Sequence, residues 1–315
     1  MTARTLPNHP LPEVDWRERM ARHRERASNH TGPARWRRDR GLPHPVEDFL
    51  FSYYPFPLST LETWHPGTGL ALEWNDSSAT HATHLADHPS YRMRRGMLEA
   101  APETLGTKER ERLRWIFSIL EATADRPPVF ACHGLHEWAM VYRGKQVRHE
   151  GTLRLRLPQD EIDAVVESRP LLCTHYDAFR FFHKDVQPLN RSQPDLAGRT
   201  DNEQPGCVHA NMDLYKWAAK SMPWTGSGLL LDCFESALAL RRLDMAASPY
   251  DLAPWGLTPI PIETTEGRRA YEREQRRLAE TAAPLRLRLA EILRATVAEA
   301  EPHTPCQPSF CRSAS

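Results

Sequence analysis

The chain has no apolar run of eighteen or more residues, and no apolar stretch of signal-peptide length near its first residues. Neither a membrane span nor a secretory leader is expected, so the reading is a soluble, cytoplasmic protein with no membrane partner. Cysteine is sparse. The six in 315 residues contain no C-x-x-C pair, which argues against a disulfide framework and a structural zinc ribbon. Net charge is absent as well: lysine plus arginine and aspartate plus glutamate both number 41, so the overall balance neither favours nor disfavours a nucleic-acid partner. No repeat or heptad is sustained, and no composition shift marks a linker between folded halves.

Charge is unevenly placed, however. Arginines crowd the segment from Asp15 to Arg40, among them Arg17, Arg24, Arg35, Arg37 and Arg38, with Trp16 and Trp36 interleaved. Such a segment can track phosphates and stack on bases, although Glu18, Glu25 and Asp39 dilute it and solvated arms share this composition. Residues 1–41 are therefore read as a basic, mobile arm. Residues 42–300 are read as a single catalytic domain and 301–315 as a disordered Pro- and Ser-rich tail carrying Cys306 and Cys311.

Periodicity predicts a mainly α fold with a small β component, a helical bundle-like core with long loops. A short buried helix is expected in V-E-D-F-L-F-S-Y-Y, with Glu47 and Asp48 at its dipole-favoured start. Lys108 to Ala124 carries Leu113, Ile116, Phe117 and Leu120 on one stripe. Further helices are expected over Gly134 to Arg143, Cys207 to Met222, Gly228 to Met245 and Thr265 to Glu299, the last kinked or interrupted at Pro284. Strands are expected at Thr152 to Leu157, where T-L-R-L-R-L alternates, and at Asp163 to Ser168. The scattered His81, His84 and His88 read as an exposed helix or loop, and Lys184 to Gly206 as a polar loop.

Three segments concentrate chemistry: C-H-G-L-H-E-W from Cys132, C-T-H-Y-D from Cys173 and C-V-H-A-N-M-D from Cys207. His209 and Asp213 are four apart, as are Cys132 and His136, so each pair shares a helix face. His136, His175 and His209, completed by Asp177, Asp213 or Glu137, offer nitrogen and oxygen donors for a transition metal, iron or zinc. Two histidines with one carboxylate favour iron(II) and oxygen chemistry, whereas three histidines with water suit zinc. The expectation is a metal-dependent oxygenase or hydrolase acting on a small molecule. The competing expectation is ordinary packing, with small buried cysteines and satisfied core histidines.

The phrases H-P-V-E-D-F-L-F-S-Y-Y, G-L-H-E-W-A-M-V-Y-R, C-T-H-Y-D-A-F-R-F-F, Q-P-G-C-V-H-A-N-M-D-L-Y-K-W and L-D-M-A-A-S-P-Y-D-L add a second line. Over roughly Leu42 to Ala298 the chain resembles an actinobacterial family of uncharacterised proteins commonly labelled 3-methyladenine DNA glycosylase. His133 stands where that family favours an aromatic residue, and Ala246 where it favours arginine. The resemblance implies cofactor-free hydrolysis of the N-glycosidic bond of an alkylated purine in DNA, but assigns no catalytic residue. The chain contains the parts such chemistry needs. Asp177 and Asp213, then Glu137, are carboxylates able to stabilise an oxocarbenium-like sugar, and Trp138, Tyr176, Tyr215 and Trp217 are aromatic candidates to stack the base. A non-catalytic nucleic-acid or metal-binding protein is the third expectation.

Overall fold

The computed structural model describes residues 8–144 and 153–300. It is mainly helical, with one small sheet built from β1 (His9–Leu11), β2 (Leu70–Glu73), β3 (Tyr91–Arg94) and β4 (Met97–Ala100) in the order β1-β2-β4-β3. The helices in chain order are α1 (Glu13–Asp39), α2 (Phe49–Tyr53), α3 (Ser59–Glu62), α4 (Asp76–His81), α5 (Thr83–Ala86), α6 (Thr107–Ala124) and α7 (Leu135–Met140). They continue with α8 (Gln159–Glu167), α9 (Tyr176–Phe179), α10 (Arg199–Asn202), α11 (Val208–Lys220), α12 (Ser227–Ala246) and α13 (Thr265–Glu299). None of these helices is long and apolar enough to cross a membrane.

Helices α11, α12 and α13 form the centre, each packed on the other two, with α6 against α13. Helix α12 is apolar almost all round: Leu229, Leu230, Leu231, Phe234, Leu238, Leu240 and Leu243 are all buried, as befits a helix enclosed by others. In α6 the expected stripe turns inward through Leu113, Ile116 and Leu120. Burying each such side chain contributes about 1.5–3 kcal/mol. Helix α13 runs unbroken through Pro284, contrary to the expected interruption. Packing on three other helices outweighs the one hydrogen bond that proline removes.

The sheet does not lie where alternation placed it. Thr152 is outside the described residues, and the remainder of the expected strand contributes only an isolated bridge between Leu155 and Tyr250. Asp163 to Ser168 falls largely within α8: Asp160 and Glu161 occupy its first turn, where the helix dipole favours carboxylates, and Ile162 and Val166, four apart, are its buried face. The hairpin β3–β4, Tyr91 to Ala100, lies where no strand is expected. Its two-residue turn, Arg95 (φ 52°) and Gly96 (φ 77°), is left-handed throughout, which suits strand twist but lacks an Asn-Gly signal.

The basic segment is also corrected over residues 8–41. It is a strand and a long helix joined to the main core. Trp16, Met20, His23, Ala27, Thr31 and Ala34 form a buried stripe at three- and four-residue spacing, and α1 packs on α3, β2 and α12. Several of its arginines are engaged: Arg17 with Glu13 at 3.5 Å, Arg35 with Glu62 at 2.7 Å, and Arg37 with Asp48 through Nε at 2.9 Å. Arg24 and Arg38 lie on the exposed side. The expected tail, 301–315, is outside the described residues.

Trp16 ties this helix down. It is fully buried, stacks on Trp74 and Trp64 with ring centroids 5.6 and 6.3 Å away, and donates from Nε1 to the Glu73 carbonyl at 3.0 Å. Trp16→Ala should therefore lower unfolding free energy by about 3–5 kcal/mol, the cost of emptying a large buried aromatic site. Urea denaturation measures this directly, and an unchanged midpoint would show that α1 is dispensable to the fold.

Candidate functional site

The three Cys/His segments meet beside α12. Segment one enters α7 through Cys132, His133 (φ 49°) and Gly134 (φ 74°), a left-handed turn. A Cβ on Gly134 would approach the Ala247 Cβ to 3.2 Å, so glycine serves both the conformation and the fit. Segment two runs through an extended His175 into α9. Segment three follows Gly206, where any Cβ would meet the Val129 carbonyl oxygen at 2.7 Å, and runs from Cys207 into α11. The outcome is a row of imidazoles: His136 and His209 have ring centroids 4.4 Å apart and edge to face, while His209 and His175 are 5.5 Å apart and stacked.

Among the described residues two sets of three donors lie within 4.8 Å of one another, one on each side of His209: His136, His209 and Asp244, and His175, Glu203 and Asp213. The second set is already filled with cationic side chains. Arg199 donates to Glu203 at 2.6 Å and to Asp213 at 2.8 Å, and Lys216 pairs with Asp213. His175 Nε2 is 3.2 Å from Asp213, and Tyr54 donates its hydroxyl to the other Asp213 oxygen at 2.8 Å. Asp177, beside this set, accepts from Arg199 and Lys216 at 3.2 and 3.3 Å and forms an ion pair with Arg180 at 3.2 Å. Burial alone would raise the Asp213 pKa, but Lys216, His175 and Arg199 outweigh it and hold the carboxyl well below its ordinary value. Burial likewise opposes the charge on Arg199, yet Glu203, Asp213 and Asp177 keep it firmly protonated.

The first set is open. His136 Nε2 and Asp244 Oδ1 approach to 2.8 Å without the alignment of a hydrogen bond, and both atoms are buried. The other Asp244 oxygen meets Arg241 at 3.3 Å, and Arg241 donates to Glu137 at 2.8 Å, so one guanidinium faces two carboxylates. Burial works against a charge on His136, but Asp244 and then Cys132 raise its pKa well above the ordinary value. His209 is held neutral: burial, reinforced by His136, takes its pKa well below 6.5. The Asp244 oxygen that Arg241 leaves is met by His136, where a proton or a metal ion in its place would sit.

A cavity of about 280 Å³ reaches His209 and is lined by Glu137, Asp177, Arg241, Phe49, Tyr53 and Phe181 among others. The aromatic residues expected at such a pocket are elsewhere. Trp138, donating to the Ala247 carbonyl at 2.8 Å, and Tyr215 are core residues, Trp217 is buried under Lys216, and Tyr176 is part-buried at the start of α9 outside the cavity lining. His84 and His88 gather around His65, with centroids 5.7 and 5.3 Å away, and with exposed His81 belong to neither donor set. The carboxylate that joins His136 and His209 is Asp244, not Asp177, Asp213 or Glu137. Sequence reasoning offers Asp244, with Glu235, as available to a pocket from α12 but does not join it to His136 and His209, and it does not single out Arg241, Arg199, Glu203 or Lys216. Asp244 does carry a signal: a carboxylate in the last turn of an apolar helix opposes the helix dipole and so calls for another cause.

Asp213→Asn should cost about 3–5 kcal/mol at pH 7, because Arg199 and Lys216 stay buried with less countercharge. The folded carboxyl titrates below the ordinary value of 3.8, so its contribution is complete above that pH and is lost as pH falls through the folded value. Urea denaturation of both proteins should therefore show the stability gap narrowing below about pH 4. A gap equal at pH 7 and pH 3 would contradict this role. Comparison with known proteins adds no family to this geometry: no protein-family model, curated protein or solved structure matches the chain.

Proposed function

We propose that the chain is a metal-dependent enzyme whose ion is held by His136, His209 and Asp244 and which acts on a small molecule in the adjoining cavity. One observation carries this reading: two imidazoles and a carboxylate lie within 4.8 Å of one another, His136 and Asp244 buried and His209 half-buried where it lines the cavity. His136 Nε2 and Asp244 Oδ1 already meet at 2.8 Å as a buried ion pair, so a metal ion entering between them would displace the proton and gain His209 as a third donor. Two histidines and one carboxylate with open positions suit iron(II), which supplies oxygen activation when bound. An oxygenase is the reading this donor set favours over a zinc hydrolase.

The chain's own residues supply the rest. Arg241 holds Asp244 and Glu137 in place from one guanidinium, and its stacking over Phe49 at 3.7 Å fixes that guanidinium in turn. His209 faces the cavity, so a substrate there lies against the donor set. Glu137 and Asp177 offer acceptors for substrate hydroxyl or amino groups, and Phe49, Tyr53 and Phe181 offer apolar walls.

Elemental analysis of protein purified without added metal should find near-stoichiometric iron. His209→Ala and Asp244→Ala should each lower ferrous affinity by at least about 100-fold, since even outer-shell losses cost about 10–100-fold. His81→Ala, at an exposed imidazole, should leave it unchanged. Protein that neither retains iron nor binds it in an anaerobic titration would sink the proposal. Release of methylated base from alkylated DNA by that metal-free protein would favour the activity implied by the resemblance.

A further inference from the structure

The nitrogen and oxygen donors leave the sulfur of the three segments unused. Cys132, Cys173 and Cys207 all line a second, small space, about 20 Å³, together with His136 and His209. Cys233, buried on α12, does not line it. The walls include three buried polar atoms with no hydrogen-bond partner: Thr174 Oγ1, Tyr271 OH and Gln275 Oε1. His136 borders both sides of the site, its Nδ1 3.7 Å from Cys132 Sγ and its Nε2 turned to Asp244.

Buried cysteine usually acts as a small apolar filler, and one such residue here would need no other account. Three converging from separate segments on a space walled by unsatisfied polar atoms is a different situation. An apolar role would leave those polar atoms uncompensated, at about 1–3 kcal/mol each. One bound water would satisfy some of those polar atoms but would leave the convergence of three thiols from separate segments without a cause. The space has room for about one water-sized occupant, which admits one ion and excludes an iron–sulfur cluster.

We propose that Cys132, Cys173 and Cys207 bind a single thiophilic metal ion of the zinc(II) class in this space, next to His136. Thiolates select soft and borderline ions, and a tetrahedral site needs Zn–S distances of about 2.3 Å. The three sulfurs form no set within 4.8 Å, so the ion would have to draw them together by side-chain rotation. Each coordinating thiol gives its proton to solvent as the ion enters. The ion would clamp together the three segments that carry His136, His175 and His209. This inference does not rest on the ion assigned to His136, His209 and Asp244.

Cadmium(II) titration of the reduced, full-length protein tests it through thiolate-to-metal charge-transfer absorbance. The expected result is a band saturating at one equivalent and bleached by zinc(II). Cys132→Ser, Cys173→Ser and Cys207→Ser should each weaken cadmium binding at least 100-fold. Cys233→Ser, His209→Ala and Asp244→Ala should keep the band, which separates this centre from the imidazole–carboxylate one. If the serine variants fail to fold, alkylation of the unaltered protein serves instead: one equivalent of zinc(II) should slow modification of the part-exposed Cys132 and Cys207 at least tenfold. No thiolate band, a band abolished by Cys233→Ser alone, or alkylation rates indifferent to zinc would overturn the proposal.

Discussion

The structure around the site depends on a single constraint: Asp213 is a charge taken almost wholly out of water, and it persists only because cations and donors surround it. Those partners come from separate parts of the chain, with Tyr54 at the end of α2, His175 ahead of α9, Arg199 on α10, and Lys216 one turn further along α11. Taking a carboxylate from water costs several kcal/mol unless each lone pair is met, so none of these elements can shift independently. Their mutual placement puts His209, one turn earlier on the same face of α11, between His136 and His175. The geometry of the candidate metal site is a consequence of the ion network beside it.

The two donor sets look alike in composition and differ in electrostatics. In His175, Glu203 and Asp213, Arg199 and Lys216 already stand where a divalent ion would need to be. In His136, His209 and Asp244, Arg241 is shared between one Asp244 oxygen and Glu137, and the other Asp244 oxygen meets only the His136 imidazole among the ion pairs of the described residues. Donor distance alone therefore does not distinguish an ion site from a salt-bridge network; the cationic side chains already seated on the donors do. Proton and metal compete for the same place at His136, so affinity should rise as pH increases.

Much of this is legible in the sequence, for physical reasons. The long helices α6, α11, α12 and α13 declare themselves by apolar period and by bounding prolines and glycines. The His136, His175 and His209 segments stand out because cysteine, histidine and carboxylate rarely crowd together for packing alone. What escapes is what depends on pairing across the fold. The hairpin β3–β4 has a polar exterior and an Arg95-Gly96 turn, so alternation points instead to Thr152 to Leu157. The α1 stripe is hidden by arginines on every other face, and its apolar members include small Ala27 and Ala34, which carry little hydropathy. Asp244 sits in an apolar helix, far in sequence from both histidines it joins. The cationic partners Arg199, Lys216 and Arg241 cannot be told from surface charges until burial is known.

The central claim is that His136, His209 and Asp244 form one ion site. Anomalous diffraction at the iron edge, from crystals grown anaerobically with ferrous iron, tests it most directly. The account predicts a single strong peak about 2.0–2.2 Å from an imidazole nitrogen of each histidine and from Asp244 Oδ1. A peak centred between Glu203 and Asp213, or an ordered site with no peak and His136 bonded to Asp244 alone, would contradict it.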